Sequence, residues 1–167
     1  MVQRTAEKNI ALTVAATAAI MHALTHNAEP SCLPALQENA HLMPRLAYHI
    51  YHASWTHLLL NLWCLLTLVF KFQVRVTDML AAYAIAVACP SAILSQTPIV
   101  GLSAFNYALM GIITVRHPRP FLCILSAAAA IAVGACFPNV ATALHIYAYT
   151  AAIALQLLDT PINRTKP

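Results

Sequence analysis

Charge is what this chain has least of. Asp, Glu, Lys and Arg together supply only 8% of its 167 residues, where a soluble domain carries roughly a quarter. That is too few to build a water-facing surface. With 60% hydrophobic residues and a mean hydropathy of +0.70, the composition predicts an integral membrane protein. Basic runs and basic–aromatic interleaving are also lacking, which excludes nucleic acid as a partner. The five cysteines (Cys32, Cys64, Cys89, Cys123 and Cys136) show no CxxC spacing. They read as small hydrophobes, not as a zinc or disulfide framework. Repeats, low-complexity stretches and interdomain linkers are missing too, so residues 1–167 are expected to form a single membrane domain.

What is there is a series of apolar runs. Six spans are expected, over residues 10–26, 53–70, 78–95, 101–115, 120–136 and 139–158. Apart from Asp78 at the first position of the third, none contains Asp, Glu, Lys or Arg. Backbone amides in lipid must be satisfied within their own segment, so the spans should be helices and the fold all-α. The first run follows Arg4 and Lys8 and resembles a signal peptide. However, "HNAEPSC" after it is a weak cleavage site, so it reads as a retained helix. Thr77 and Asp78 are expected to cap the third span, Pro90 to kink it and "SQTP" at 95–98 to close it. Pro138 should separate the fifth span from the sixth.

The positive charges give an orientation. Arg4, Lys8, Lys71, Arg75, Arg116, Arg119, Arg164 and Lys166 all fall on one side of such a bundle, and Arg45 alone on the other. The positive-inside rule then places both termini in the cytoplasm.

Glycine is scarce as well. Two of the three glycines bracket one stretch, "GLSAFNYALMG" at residues 101–111. With the orientation fixed, Ser103 lies near the outer end of the fourth span and Tyr107 one turn deeper on the same face. His57 and Asn61 share a face in the outer half of the second span. His145 falls about two turns into the sixth. A lone serine in such a helix usually bonds its own backbone, and a lone Asn is commonly interhelical glue. Buried histidine is costlier, and its convergence with the others on one depth points to chemistry. A serine needs a base to become a nucleophile, and His145 can accept its proton. Acyl transfer also needs donors where oxyanion charge develops. His57, Asn61 and the backbone amides of Leu102 and Ser103 qualify. With no carboxylate at this depth, the arrangement would be a Ser–His dyad. Gly101 would permit close backbone approach at the helix entry. Gly111, with Ala148 and Ala152, would let the fourth and sixth spans pack closely.

These residues resemble the rhomboid family of intramembrane serine proteases. The family pattern is a His-x-x-x-Asn, here His57 and Asn61, then a Gly-x-Ser-Gly, here "GLSA" at 101–104, then a later His, here His145. "YALMG" at 107–111 also matches. The resemblance implies a six-helix rhomboid-like bundle with Ser103 as nucleophile and His145 as base. It further implies His57 and Asn61 at the oxyanion, Tyr107 packed on His145, and no cofactor or metal. The partners would be transmembrane protein substrates entering from the lipid bilayer, cleaved in or beside their membrane segments. A bacterial inner membrane is the expected location, with the site opening to the periplasmic side. There are departures: Ala104 replaces the second motif glycine, Pro44-Arg45 stands for a Trp-Arg pair, and Tyr149 occupies a usual glycine position. A rhombosortase-like branch fits as well as a general rhomboid. A catalytically silent relative that binds and routes membrane proteins is the alternative. A haem or metal protein using His49, His52 and His57 is a weaker one.

Overall fold

The computed structural model describes residues 5–94, 96–137 and 140–159; Ser95, Pro138, Arg4, Arg164 and Lys166 lie outside the described residues. Seven α-helices and three short 3-10 turns make up the described fold. The helices are α1 (Thr5–Thr25), α2 (Leu42–Ala47), α3 (Trp55–Lys71), α4 (Val76–Val87), α5 (Ser103–Arg116), α6 (Pro120–Ala135) and α7 (Thr142–Asp159). The one extended contact among the described residues is an isolated antiparallel bridge between Leu36 and Ile99.

Helix ends set which groups meet. Lys8 near the start of α1 sits over the Phe70 ring at the end of α3. His22 near the end of α1 meets Trp55 at the start of α3, ring centroids 4.6 Å apart. The two helices are therefore antiparallel. The buried residues of α1 (Ala11, Ala15, Ala18 and His22) recur at helical spacing on one face, and their small size lets α3 approach. Nine residues of α5 are buried, which makes it the central helix. It packs most extensively on α7. A Cβ added to Gly111 would lie 2.5 Å from the Tyr149 carbonyl oxygen and 2.8 Å from Ala152 Cβ, so that helix pair is as close as backbone allows.

The bundle is apolar outside and holds a few polar side chains within a mostly apolar core. Trp63 is 70% exposed, Phe121 70% and Leu158 85%, while Asn61, Asp78, Asn106, Thr114 and His145 are buried. Contiguous apolar surface on this scale is what lipid, not water, tolerates. No single helix among the described residues is long and apolar enough by itself to cross a membrane. The pair Leu42–Ile50 and Trp55–Lys71 meets the requirement together, across a bend of 86°.

Three expectations need correction. The third span ends at Val87, not residue 95, and Pro90 lies beyond the helix as the N-cap of a 3-10 turn instead of kinking it. Pro90 cannot continue the helix, and Arg45 supports the stop. Its guanidinium donates to the carbonyls of Val87 (3.2 Å) and Cys89 (2.6 Å) and to Ser91 Oγ (2.8 Å), satisfying acceptors a helix end leaves free. The one basic residue on the wrong side of the charge pattern thus ties the first loop to α4. Second, Thr77 is not a cap: α4 begins at Val76, and Asp78 acts from the first turn, its Oδ2 accepting from the Arg75 amide at 2.8 Å. Third, α1 begins at Thr5 and takes Glu7 and Lys8 into its first turn. The remaining helix ends differ from the expected ones by up to three residues.

Lys8, Lys71, Arg75 and Arg116 share one end of the bundle. There Asp78, 3% exposed, accepts from Arg116 Nη1 at 2.7 Å, and Arg116 Nη2 donates to Gln156 at 2.7 Å. The start of α4 and the ends of α5 and α7 are joined by this one guanidinium. A cavity of about 870 Å³ opens at the same end, lined by Lys71, Arg75, Asp78, Arg116 and Gln156 among others. Replacing Arg116 by Met leaves the Asp78 carboxylate buried with its main cation gone. Full removal of a buried partner costs about 3–5 kcal/mol, discounted here because the Arg116 side chain is 34% exposed. A loss of about 1–2 kcal/mol is expected, against none for Arg119→Met, and thermal unfolding in detergent checks it.

Candidate active site

The other end of the bundle gathers the starts of α3, α5 and α7. The chain enters α5 through Gly101, whose φ of +116° is open to glycine and strained for other residues. Its amide donates to the Tyr48 carbonyl at 2.9 Å, which anchors the entry to the first loop. A Cβ on Gly101 would lie 2.7 Å from His57 Cε1. The missing side chain is therefore also the space that the His57 ring fills.

Ser103 is the first residue of α5, partly buried. Its amide belongs to the first turn, which has no intrahelical acceptor, and sits in the positive field of the helix N-terminus. Ser103 Oγ lies 2.9 Å from His145 Nε2 across the α5–α7 contact. His145 is itself buried. With the serine hydroxyl donating, Nε2 is the acceptor and Nδ1 carries the proton. Among the described residues Nδ1 has no hydrogen-bond partner, so the ring is held by packing. Tyr107 stacks on it with centroids 4.5 Å apart and planes 26° from parallel.

His57 and Asn61 come to the same end on α3. Ser54 caps that helix, its Oγ accepting from the His57 amide at 3.2 Å. Asn61 Nδ2 donates to the His57 carbonyl at 2.9 Å, and one further N–H of that amide remains. Leu102 is placed differently from the expectation: its amide donates to His52 Nε2 at 3.4 Å and is not a free oxyanion donor. Burial, with His57 beside it, pushes the His52 imidazole down to about 3, which keeps it neutral and able to accept.

The site residues read from sequence thus lie at one end of the bundle, with Ser103, His145 and Tyr107 in direct contact. Asn106, which bonds Asn61, was passed over in the sequence reading, and His52, read there only as a possible metal ligand, fixes the turn before α5. His22 and His49 are buried beside aromatic rings, His22 against Trp55 and His49 against Tyr48. Among the described residues no three His, Cys, Asp or Glu side chains are placed to hold a metal ion.

A family model described as the Rhomboid domain matches residues 39–159, which includes α2 to α7 and every residue of the Ser103 cluster. No curated protein and no solved structure matches the chain. The match takes in well over half of the sequence, and the apolar exterior agrees with it. The chain therefore belongs to the rhomboid family and is an integral membrane protein.

Proposed function

We propose that this protein is an intramembrane serine endopeptidase that cleaves transmembrane proteins in or near their membrane segments. The observation that carries the reading is the 2.9 Å contact between Ser103 Oγ and His145 Nε2. In this reading α1, α3, α4, α5, α6 and α7 are six spans of one domain with both termini in the cytoplasm. The basic end then faces inward and Ser103 outward, toward the periplasmic side of a bacterial inner membrane. An 18-residue helix rises about 27 Å and a 12-residue one about 18 Å, so the surrounding bilayer is thinned or shorter helices are covered by loops.

The chemistry follows from the geometry. Ser103 Oγ attacks the scissile carbonyl carbon as its proton passes to His145 Nε2. The carbonyl oxygen takes the negative charge, stabilised by the Ser103 amide at the helix N-terminus and by N–H groups of His57 and Asn61. The intermediate collapses, His145 gives its proton to the leaving amine, and an acyl-serine remains. Water then attacks the acyl carbon, His145 accepts its proton and passes it to the departing Ser103 Oγ, and the new carboxyl terminus is released. Stacking on Tyr107 supplies the orientation that a carboxylate supplies in a triad.

The test is cleavage of a panel of single-span proteins, reconstituted with this protein in liposomes. The reading expects cleavage by the native chain and none by Ser103→Ala. Cleavage of nothing in the panel by folded protein would favour the silent relative that binds and routes membrane proteins. The pH dependence has a definite sign. His145 must be neutral to accept a proton, so kcat/KM should be level at the alkaline side and fall tenfold per unit below the His145 pKa. A kcat/KM that rises as the pH falls would count against His145 as base.

A further inference from the structure

Asn106 is a buried amide that the mechanism does not use. It lies on α5 three residues after Ser103, 3% exposed. Its Nδ2 donates to the Asn61 carbonyl at 3.0 Å and to Asn61 Oδ1 at 3.3 Å. Its own Oδ1 is buried without a partner among the described residues. An apolar residue of similar size would leave no such orphan acceptor, so the amide is retained at a cost in desolvation.

The orientation of both amides is set by acceptor-only groups. The Asn61 main-chain carbonyl can only accept, so it must face Asn106 Nδ2 and not Oδ1. The second hydrogen of that NH₂ group then meets Asn61 Oδ1. At the other edge, the His57 carbonyl can only accept and so faces Asn61 Nδ2, at 2.9 Å. The two carbonyls fix the pair without ambiguity. The Asn61 oxygen is held toward α5, and its NH₂ keeps one hydrogen free.

We infer that Asn106 is a positioning residue, which holds the Asn61 amide with its free N–H available to the developing oxyanion. The inference rests on the protease reading, through the role of Asn61. Without Asn106 the Asn61 oxygen loses its donor, and the amide can rotate toward α5 or turn its oxygen to the site. An oxygen there would repel the oxyanion.

The test uses a fluorophosphonate probe, whose phosphoryl oxygen occupies the oxyanion position once Ser103 attacks. The maximal labelling rate and the half-saturating probe concentration are measured in detergent for wild type, Asn106→Val, Asn61→Ala and the double variant. Thermal unfolding is followed in parallel. Loss of an oxyanion donor costs about 10²–10³ in rate, and partial misorientation should cost about tenfold. Asn106→Val is expected to lower the maximal rate about tenfold, with half-saturation and unfolding temperature nearly unchanged. In the Asn61→Ala background it should add nothing. A lower unfolding temperature with an unchanged labelling rate would mean a purely structural role and overturn the inference. So would an equal rate loss with Asn61 already gone. If Asn106→Val does not fold, Asn106→Thr, which keeps a donor, should fold and label at near wild-type rate; a Thr variant as slow as Asn61→Ala overturns the inference. Failure of wild type itself to label overturns the protease reading, and the role of Asn106 with it.

Discussion

Ser103→Ala and His145→Ala each remove essentially all cleavage of membrane-embedded substrates, and the double variant is no worse than either alone. The two side chains form one unit. The hydroxyl is a weak nucleophile unless its proton leaves for Nε2 at 2.9 Å, and the imidazole has no task without the hydroxyl. Removing either member of such a unit costs about 10⁴–10⁶ in kcat, and the losses do not add. What survives is the contribution of the oxyanion donors and of substrate binding, which the substitutions leave in place. Ser103→Ala should unfold at close to the wild-type temperature, because it deletes one partly buried hydroxyl, whereas His145→Ala also removes a buried ring stacked on Tyr107 and should unfold somewhat earlier. Kinetics of a reconstituted single-span substrate check this. Losses that add in the double variant would mean that the two residues act separately, and the dyad would be wrong.

Gly111→Ala should be a strongly damaging single methyl group. An added Cβ would sit 2.5 Å from the Tyr149 carbonyl oxygen and 2.8 Å from Ala152 Cβ. Neither atom is the end of a flexible side chain. One is backbone and the other a Cβ on a rigid helix, so relief requires α5 and α7 to part by about 1 Å. Forced overpacking of this kind costs about 1–3 kcal/mol, and the helix-propensity gain of about 1 kcal/mol from Gly to Ala offsets only part. The consequence reaches the site, because Ser103 rides on α5 and His145 on α7. Parting the helices lengthens the Oγ–Nε2 contact. Gly134→Ala is the matched control: its added Cβ would lie 3.3 Å from Val140 Cγ1, which a small side-chain movement relieves. Gly111→Ala is therefore expected to unfold earlier and label more slowly than Gly134→Ala. Equal behaviour of the two would show that α5 and α7 have slack that the structure does not suggest.

Some of this was legible in the residues themselves. Alternating basic loops and the spacing of His57, Asn61, Ser103, Tyr107 and His145 placed five side chains at one end of a bundle, because helical periodicity and chain direction alone decide that. The end of α4 was not legible. Hydropathy continues through "ACPSAIL" at 88–94, while the helix stops at Val87, ahead of Pro90, where Arg45, distant in sequence, satisfies the Val87 carbonyl. The Leu102 amide looked free for the same kind of reason, since His52 reaches it only once the first loop has folded over the start of α5. Asn106 sits alone in an apolar run and reads as packing until the facing helix is known. Long-range partners bear on each of these three, and no hydropathy pattern encodes them. Close packing at Gly111, by contrast, was announced by the small residues at 148 and 152 on the partner helix.

The central claim is that Ser103 is an activated nucleophile, and fluorophosphonate labelling of the detergent-solubilised protein tests it most directly. Wild type, Ser103→Ala and His145→Ala are compared at equal, verified fold. The account predicts covalent labelling of wild type at Ser103 and none of either variant. Labelling that persists in Ser103→Ala, or a well-folded wild type that does not react, would contradict it.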